Sequence, residues 1–550
     1  MLASQTNGRR SWPRLTHFVA LLGGLALGWL HVSDVRAASF TVTRTDDTER
    51  GVCNPGDCSL REAIEAANAL APATSTITLP AGTYLLGMAK RLAMTADITI
   101  TGAGSATTIV DGHHLVGVFD AGGTDEIDGV TVRDGMDTSG LGGGGIHCGG
   151  TLTATDLVLV GNSTSGQGGG ISDEGTVYLT DSVLQNNMAA AGGGFSNIGS
   201  ISFLGSFTID GNTSTGDGGG VRNDGIANLD NTNPPVPPGP PSGGGTISAN
   251  HSGARGGGIN NTGIISLQNV ALDGNGATTD GGGTWNTSSL DLTNGTVSRS
   301  TAGGNGAGLW NDSTSNLTNV TIAANMTASG TGGGLWNDSF PVLVNCTIAG
   351  NSASAGGGTA NNGTGTVEVR NTILAANTPA NCSGGIKSDG HNIDSGSTCT
   401  PTAAGDLSST DPLLGPLQYN APGPSFLQTR ALLAGSPALD AAAGCPPPDT
   451  DERGVTRPQA TACDIGAVEK VVSTPCGDVN GDGAVNIGDA LVVAQFDVGL
   501  RQCGVPPFAH PGACNVNGDA SCNIGDALAI AQCDVGLRGC NFNCTAFVCQ

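Results

Sequence analysis

A glycine-rich signature followed by one apolar or small residue returns about every 25 residues between 143 and 377. It places Ile146, Ile171, Phe195, Val221, Ile259, Thr284, Leu309, Leu335 and Thr359 at equivalent positions. The intervals are 25, 24, 26, 38, 25, 25, 26 and 24, and the long one holds a proline-rich insert at 231–243. A fixed period of this length marks a stack of like units, each burying its apolar side only against its neighbours. Runs inside the units, such as 175–184 and 316–322, are β-branched and alternating, with no 3.6-residue spacing. The chain therefore reads as all-β: a parallel β-helix with three short strands and three turns in each coil of about 25 residues.

Two further regularities run beside the marker. Two residues after it stand Asp173, Asn197, Asn223, Asn261, Asn286, Asn311, Asn337 and Asn361; nine before it stand Asn162, Asn186, Asn212, Asn250 and Asn275. Asn tolerates left-handed turns, and stacked copies can pass amide hydrogen bonds from coil to coil. Both series read as structural ladders, because inward turn positions must satisfy their polar groups internally.

Residues 1–37 read as a signal peptide, with Arg9, Arg10 and Arg14 ahead of an apolar run at 18–30 and small or apolar residues before the cleavage point. No later stretch is apolar and long enough to span a membrane. A formal charge of −25 argues against nucleic acid and anionic membranes as partners, and suits an exported protein that binds Ca²⁺. The 16 Cys, with close pairs Cys53/Cys58, Cys382/Cys399 and Cys445/Cys463, suggest disulfides in an oxidising compartment. Cys148 and Cys346 fall on inward positions as free thiols.

Cys58, Ser59, Leu60, Arg61, Glu62 and Ala63 open a helical stretch in which Ser59 and Glu62 form a capping box, with Leu60, Ala63, Ile64 and Ala67 on one face. Such a helix can cover the open edge of a first coil. The stretch resembles the CSLREA motif at the head of secreted bacterial right-handed β-helix proteins, which implies a cap over 38–97 and a right-handed helix over 98–400. Near the other end, Ser436, Pro437, Ala438, Leu439 and Asp440, then 450–458 and 462–469, resemble the choice-of-anchor Q domain. That resemblance implies a C-terminal cap over 401–470, stapled by Cys445 and Cys463.

The tail, 471–550, carries the strongest chemical motif. Asp478, Asn480, Asp482, Asn486 and Asp489 occupy positions 1, 3, 5, 9 and 12 of a loop with Gly483 at position 6 and the Ala484 carbonyl at position 7. This spacing wraps hard oxygens around one cation, as Ca²⁺ requires. A second loop offers Asn515, Asn517, Asp519, Ser521, Asn523 and Asp526, but Asn515 replaces the first carboxylate and Ala520 the turn glycine. Each loop runs into a helical stretch. Loop plus helix, twice, resembles a type I dockerin, which implies a Ca²⁺-dependent partner of cohesin type. Dockerins contact cohesins largely through positions 10 and 11, often hydroxyl-bearing; here they are Ile487 and Gly488, and Ile524 and Gly525.

In three consecutive coils the residue between marker and ladder Asn is Trp: Trp285, Trp310 and Trp336. It should face outward, so the three form a strip that either stacks on sugar rings or serves as a packing ladder. Asp312 and Asp338 follow the last two ladder positions but one, as candidates for a cation site, for a catalytic acid pair, or for solvated turn residues. Two function classes follow. One is a polysaccharide-binding or polysaccharide-degrading protein, a lyase or glycoside hydrolase if catalytic, since right-handed β-helices include pectate lyases. The other is a non-catalytic, adhesin-like surface protein. The scattered Arg222, Arg255, Arg299 and Arg370 form no lyase constellation with clustered Asp.

Overall fold

A computed structural model describes residues 37–229, 244–471, 475–519, 521–540, 542 and 544. The signal-peptide reading of 1–37, save its last residue, the insert at 231–243 and the Ala520 substitution lie outside these residues. The repeat is a parallel β-helix. Its marker strands, three residues each from Leu92–Met94 to Thr359–Asn361, stack with a final Cys382–Ser383 into one 12-stranded sheet. All pairs within it are parallel and in register, Ile146 on Ile171 on Phe195 on Val221. A second sheet takes the long strands, such as Thr151–Val160 and Thr176–Gln185, and a third takes two-residue strands such as Ser163–Thr164.

Three corners with positive φ recur along the glycine-marked coils among the described residues, and each has its own residue preference. The first glycine of the signature is one, as at Gly168 with φ +68°. The third glycine is required by space, since a Cβ on Gly170 would sit 2.6 Å from the carbonyl oxygen of Gly194 one coil on, whereas the middle position admits the buried Ala307 in one coil. A second corner closes the long strand at Asp134, Gly161, Asn186, Gly211, Ala249, Gly274, Arg299, Ala324, Gly350 and Ala376. A third bends the long strand in its middle, at Asp156, Asp181, Asn269, Asn294, Asn319, Asn345 and Asn371, with φ between 48° and 54°. Asx residues suit this conformation because their short polar side chains bond locally.

Both amide ladders are present. In the first, Asn197, Asn223, Asn261, Asn286, Asn311, Asn337 and Asn361 pass Nδ2–H to Oδ1 down the axis at 2.7–3.2 Å. In the second, the member after Asn162 is Asn187 and not Asn186. That coil has 24 residues, and the lost residue lies between ladder and marker, so Asn186 moves to the corner. The ladder continues to Asn212, Asn250 and Asn275, is broken at Ser300, and resumes through Asn325, Asn351 and Asn377.

The ends differ from the expected boundaries. Ser39–Thr41 pairs with Ser75–Leu79, and that strand with Ile98–Gly102, so coiling begins inside the region assigned to the N-terminal cap. These coils lack the triple glycine. Where later coils have only backbone, the Arg91 guanidinium donates to the carbonyls of Phe119, Gly142 and Gly143 and pairs with Asp137 at 3.0 Å. Helix α1, Leu60–Asn68, starts with the Ser59/Glu62 capping box and buries Leu60, Ala63, Ile64 and Ala67 against the first coils. Arg61, buried with Asp47 at 2.7 Å, ties it down.

At the far end only the start of the segment expected as a cap, 401–408, lies on the last coil, where Leu407 and Ser408 pair with Ile393 and Asp394. That coil is bridged by the Cys382–Cys399 disulfide and by bonds such as Ile386 N–H to the Cys399 carbonyl and His391 N–H to the Ala404 carbonyl. Residues 409–471 instead fold back along the flank. Their hairpin, Leu414–Tyr419 with Gln428–Leu432, and the loops after it bond to Thr296, Asn319, Thr347 and Asn371 on successive coils. Cys53–Cys58 and Cys445–Cys463 are bonded, and Cys148 and Cys346 are buried and free. Disulfides of this kind suit an extracellular protein. Among the described residues no helix is long and apolar enough to cross a membrane.

The head of the first ladder makes a prediction. Asp173 stands in register with Asn197, and its Oδ2 and the Oδ1 of Asn197 are both buried without a donor. Burial pushes the Asp173 carboxyl up to about 6. A group raised in the folded state contributes stability that is complete below its unfolded value of about 4 and is lost as pH rises through about 6. Asp173→Asn supplies the missing amide donor. Denaturation at pH 8 should show the variant more stable by about 1 kcal/mol, with the difference gone near pH 4. Equal stability at pH 8 would show that the ladder needs no proton at its head.

Candidate functional site

In the first tail loop, one oxygen from each of Asp478, Asp482 and Asp489 lies within 4.8 Å of the others. Gly483 takes φ +87° at the sixth position, as the sharp turn demands. Asp489 is buried; its Oδ1 accepts from the backbone of Val479 and Asn480 at 2.8 and 2.9 Å, and its Oδ2 from Asn486 at 3.0 Å. Asn486 caps helix α2, Ile487–Asp497, by accepting from Gly488 N–H at 2.6 Å. Positions 9 and 12 thus build the helix start; Asp489 also brings an oxygen to Asp478 and Asp482, while Asn486 turns its Nδ2 toward Asp482 Oδ2 and the Ala484 carbonyl. Burial, with the charge of Asp478 adding, raises the Asp489 carboxyl, a repulsion that a divalent cation would relieve. The all-oxygen donor set fits Ca²⁺.

The second loop repeats this frame. Asp526 accepts from Val516, Asn517 and Asn523, and Asn523 caps helix α3, Ile524–Asp534. Asn515 Oδ1 accepts from Gly518 at 2.9 Å, where Asp478 holds Gly481 in the first loop. Its carboxylates are Asp519 and Asp526 alone, so its charge for a cation is lower.

The two helices pack together, and each closes the start of the other. Ile487 N–H donates to Asp534 Oδ2, and Ile524 N–H to Asp497 Oδ2, both at 3.1 Å. An Asp at a helix C-terminus opposes that helix's own dipole but suits the start of its partner. Sequence reading missed this exchange, whose only signal is the shared Asp-Val-Gly-Leu ending of the two helices. Ile487, Leu491, Ile524 and Leu528, each 57–59% exposed, line an apolar groove of about 560 Å³ between the helices.

On the rod, Trp285, Trp310 and Trp336 are in register on one outward column. Their ring centroids are 5.1 and 4.8 Å apart, with interplanar angles of 15° and 11°. The Arg255 guanidinium lies 4.4 Å over the Trp285 ring and pairs with Asp217 at 2.8 Å. The indole faces therefore meet one another and Arg255, and the column turns ring edges outward. Trp285 is buried, and the other two are half-buried. Asp312 and Asp338 sit at the turn beyond the ladder; Asp312 is exposed, and Asp338 accepts from Asn362 Nδ2 at 3.2 Å. Among the described residues, the carboxylate cluster with ligand reach is the tail's.

Arg222 pairs with Asp224 and Arg299 with Asp273, as Arg255 does with Asp217. A pairing that sequence reading missed joins Asp120 and His147, 27 residues and one coil apart, with His147 Nδ1 2.8 Å from Asp120 Oδ1. The imidazole holds the Asp120 carboxyl below its ordinary range.

No family model matches this chain, and no curated protein matches it. Among solved structures, pectate lyase Pel9A overlaps at TM-score 0.32 and 13% identity, over 79% of this chain and 97% of that one. The A-module of the Azotobacter vinelandii mannuronan C-5 epimerase AlgE6 overlaps at TM-score 0.27 and 13% identity, over 64% and 94%. The catalytic unit of a GH87 α-1,3-glucanase from Streptomyces thermodiastaticus overlaps at TM-score 0.27 and 14% identity, over 64% and 69%. Overlaps of this size assign no chemistry; the coil architecture rests on the strand pairings above.

The unequal loops set an expected Ca²⁺ titration. The first site should fill at least about tenfold more tightly than the second, because ligand charge tunes affinity, and Asp478→Ala should remove the tight site. Calorimetry on the full chain checks this; two equal sites, or no heat with Ca²⁺, would contradict it.

Proposed function

We propose that this is an exported modular protein in which a rigid β-helix is attached through a Ca²⁺-dependent, dockerin-like tail and works on or against extracellular polysaccharide. The observation that carries the reading is the paired loop–helix unit with its bare apolar face. Large apolar side chains clustered at high exposure are unusual on a soluble surface unless a partner covers them. Asn486 and Asp489 are at once proposed Ca²⁺ ligands and the capping residues of α2, so ion binding and the shape of that face are coupled. The partner expected from the type I dockerin resemblance is a cohesin-like module. Ile487 and Ile524 at loop position 10 would give it an apolar contact in place of a hydroxyl.

For the rod, the proposed polysaccharide contact is the Trp column with Asp312 and Asp338 at its side. The stacked geometry narrows this contact. Ring faces at Trp285 and Trp310 are taken, whereas among the described residues no ring stacks on the far side of Trp336, next to Ala360 in the following coil. The same stacking favours the second reading, a non-catalytic display rod in which the indoles are packing.

Two experiments separate these statements. Surface plasmon resonance against a panel of purified cohesins should show binding with Ca²⁺ and none with chelator. Leu491→Asp with Leu528→Asp should weaken it at least ~30-fold, the loss of roughly 2 kcal/mol expected for a central anchor. A full chain that binds no cohesin in Ca²⁺ would remove the docking reading. For the rod, a glycan panel scored for binding and product release should show Trp336→Ala losing about 1 kcal/mol of affinity, with Trp310→Ala acting mainly on stability. If no glycan binds and both variants only lower the melting temperature, the column is structural.

A further inference from the structure

The flank segment 409–471 is held to the rod at one point by a carboxylic acid, Glu452, that forms no ion pair among the described residues. Glu452 is fully buried between the segment and the outward Thr column of the coils. Its Oε1 lies 2.9 Å from Thr296 Oγ1 and its Oε2 2.5 Å from Thr321 Oγ1. Thr296 Oγ1 is also 2.9 Å from the carbonyl oxygen of Gln428, which can only accept. A hydroxyl has one proton. Both Thr296 contacts are satisfied together only if Thr296 donates to Gln428 and Glu452 donates its own proton to Thr296.

The neighbouring charges leave Glu452 alone. On its own segment, the Arg453 guanidinium pairs with Asp451 at 2.6 Å and donates to the Glu469 carbonyl. Arg457 is committed to Glu469 at 3.0 Å and to the carbonyls of Asp464 and Gly466. Asp464 and Glu469, the other buried acids of the segment, accept from backbone N–H groups as well. Burial chiefly disfavours ionisation of Glu452; the charge of Asp451 adds to it and that of Arg453 opposes it, and from the rod side the buried Cys346 thiol and the two Thr hydroxyls face it.

We propose that residues 409–471 form a proton-dependent clasp. With Glu452 neutral it stays closed on the flank, and ionisation of Glu452 releases it from the coils around Thr296 and Thr321. Burial independently pushes the Glu452 carboxyl well above the ordinary glutamate range. The sign follows: the closed state holds its full stability below the unfolded value near 4.3 and loses it as pH rises through the elevated folded value. Release uncovers an in-register outward column of Thr296, Thr321, Thr347, Ile373 and Ile393, all of them buried when the clasp is shut.

Hydrogen exchange on the full chain between pH 6 and pH 9, corrected for intrinsic rates, tests this. Amides at 428–432 and 450–468 in the wild type should lose at least about tenfold in protection, the factor set by one pH unit beyond a titration point. Amides at 146–223 serve as the internal control and should stay protected. Glu452→Gln keeps a donor for Thr296 and an acceptor for Thr321, so it should hold the segment closed across the range. A wild type whose protection does not change, a Glu452→Gln chain that opens with the same pH dependence, or one already open at pH 6 would each overturn the proposal.

Discussion

Coils stacked at one strand spacing leave no room for a polar group that does not find its partner in the next coil, and the other features of this rod answer to that constraint. An unpaired buried amide costs roughly 1–3 kcal/mol, and a paired one contributes about 1 kcal/mol. A sequence that repeats Asn at inward turns thus gains at every rung and loses at every gap. Ser300 shows the cost of a gap being limited by backbone: its N–H still donates to Asn325 Oδ1, so the ladder resumes one coil later. The signature glycines obey the same spacing, since adjacent coils approach until a Cβ would strike a carbonyl.

The coil, its period and the first ladder were legible because one residue type recurs at one interval and carries one physical task. The second ladder was legible only as far as counting from the marker allowed. A coil shortened by one residue moved Asn186 to a corner and put Asn187 in the rung, and only geometry tells the two apart. The mid-strand corner was hidden for the opposite reason. Asn269, Asn294, Asn319, Asn345 and Asn371 interrupt runs that alternate well as strands, so a reader following hydrophobic alternation passes over them, although five Asn at near-constant spacing were there to be found. The first coils were hidden because Arg91 does the work of glycine by hydrogen bonding to the backbone that later coils pack against.

In the tail, the cluster of Asp478, Asp482 and Asp489 was legible because the loop motif fixes their spacing within twelve residues. The apolar groove between the helices was not, since it depends on how two helices meet. Asp497 and Asp534 look misplaced on their own helices and make sense only as caps for each other's. Asn486 and Asp489, with Asn523 and Asp526, already order the helix starts through backbone bonds. A cation held by this loop would therefore meet a frame that is largely built, setting the loop against the helix rather than creating the helix.

The flank shows where sequence stops deciding. The outward column under the clasp continues upstream through Ala271, Thr246, Thr208, Val183, Val158 and Thr131, all in register and equally β-branched or small. Except for Ala271, the upstream members are half-buried, whereas those from Thr296 onward are covered. Nothing in the column itself says where the cover begins. The boundary is set by the covering segment, whose buried acid finds two hydroxyls, Thr296 and Thr321, on adjacent coils, with apolar Ile373 and Ile393 further along to seat Ala438, Leu432 and Ile465. A Val pair such as Val158 and Val183 could take the apolar part of that segment but would leave the carboxylic acid without a partner. Thr208 and Thr246 offer another hydroxyl pair upstream, so the acid narrows the register to Thr pairs, and the bonds at Asn319, Thr347 and Asn371 with the apolar seats at Ile373 and Ile393 fix it among them.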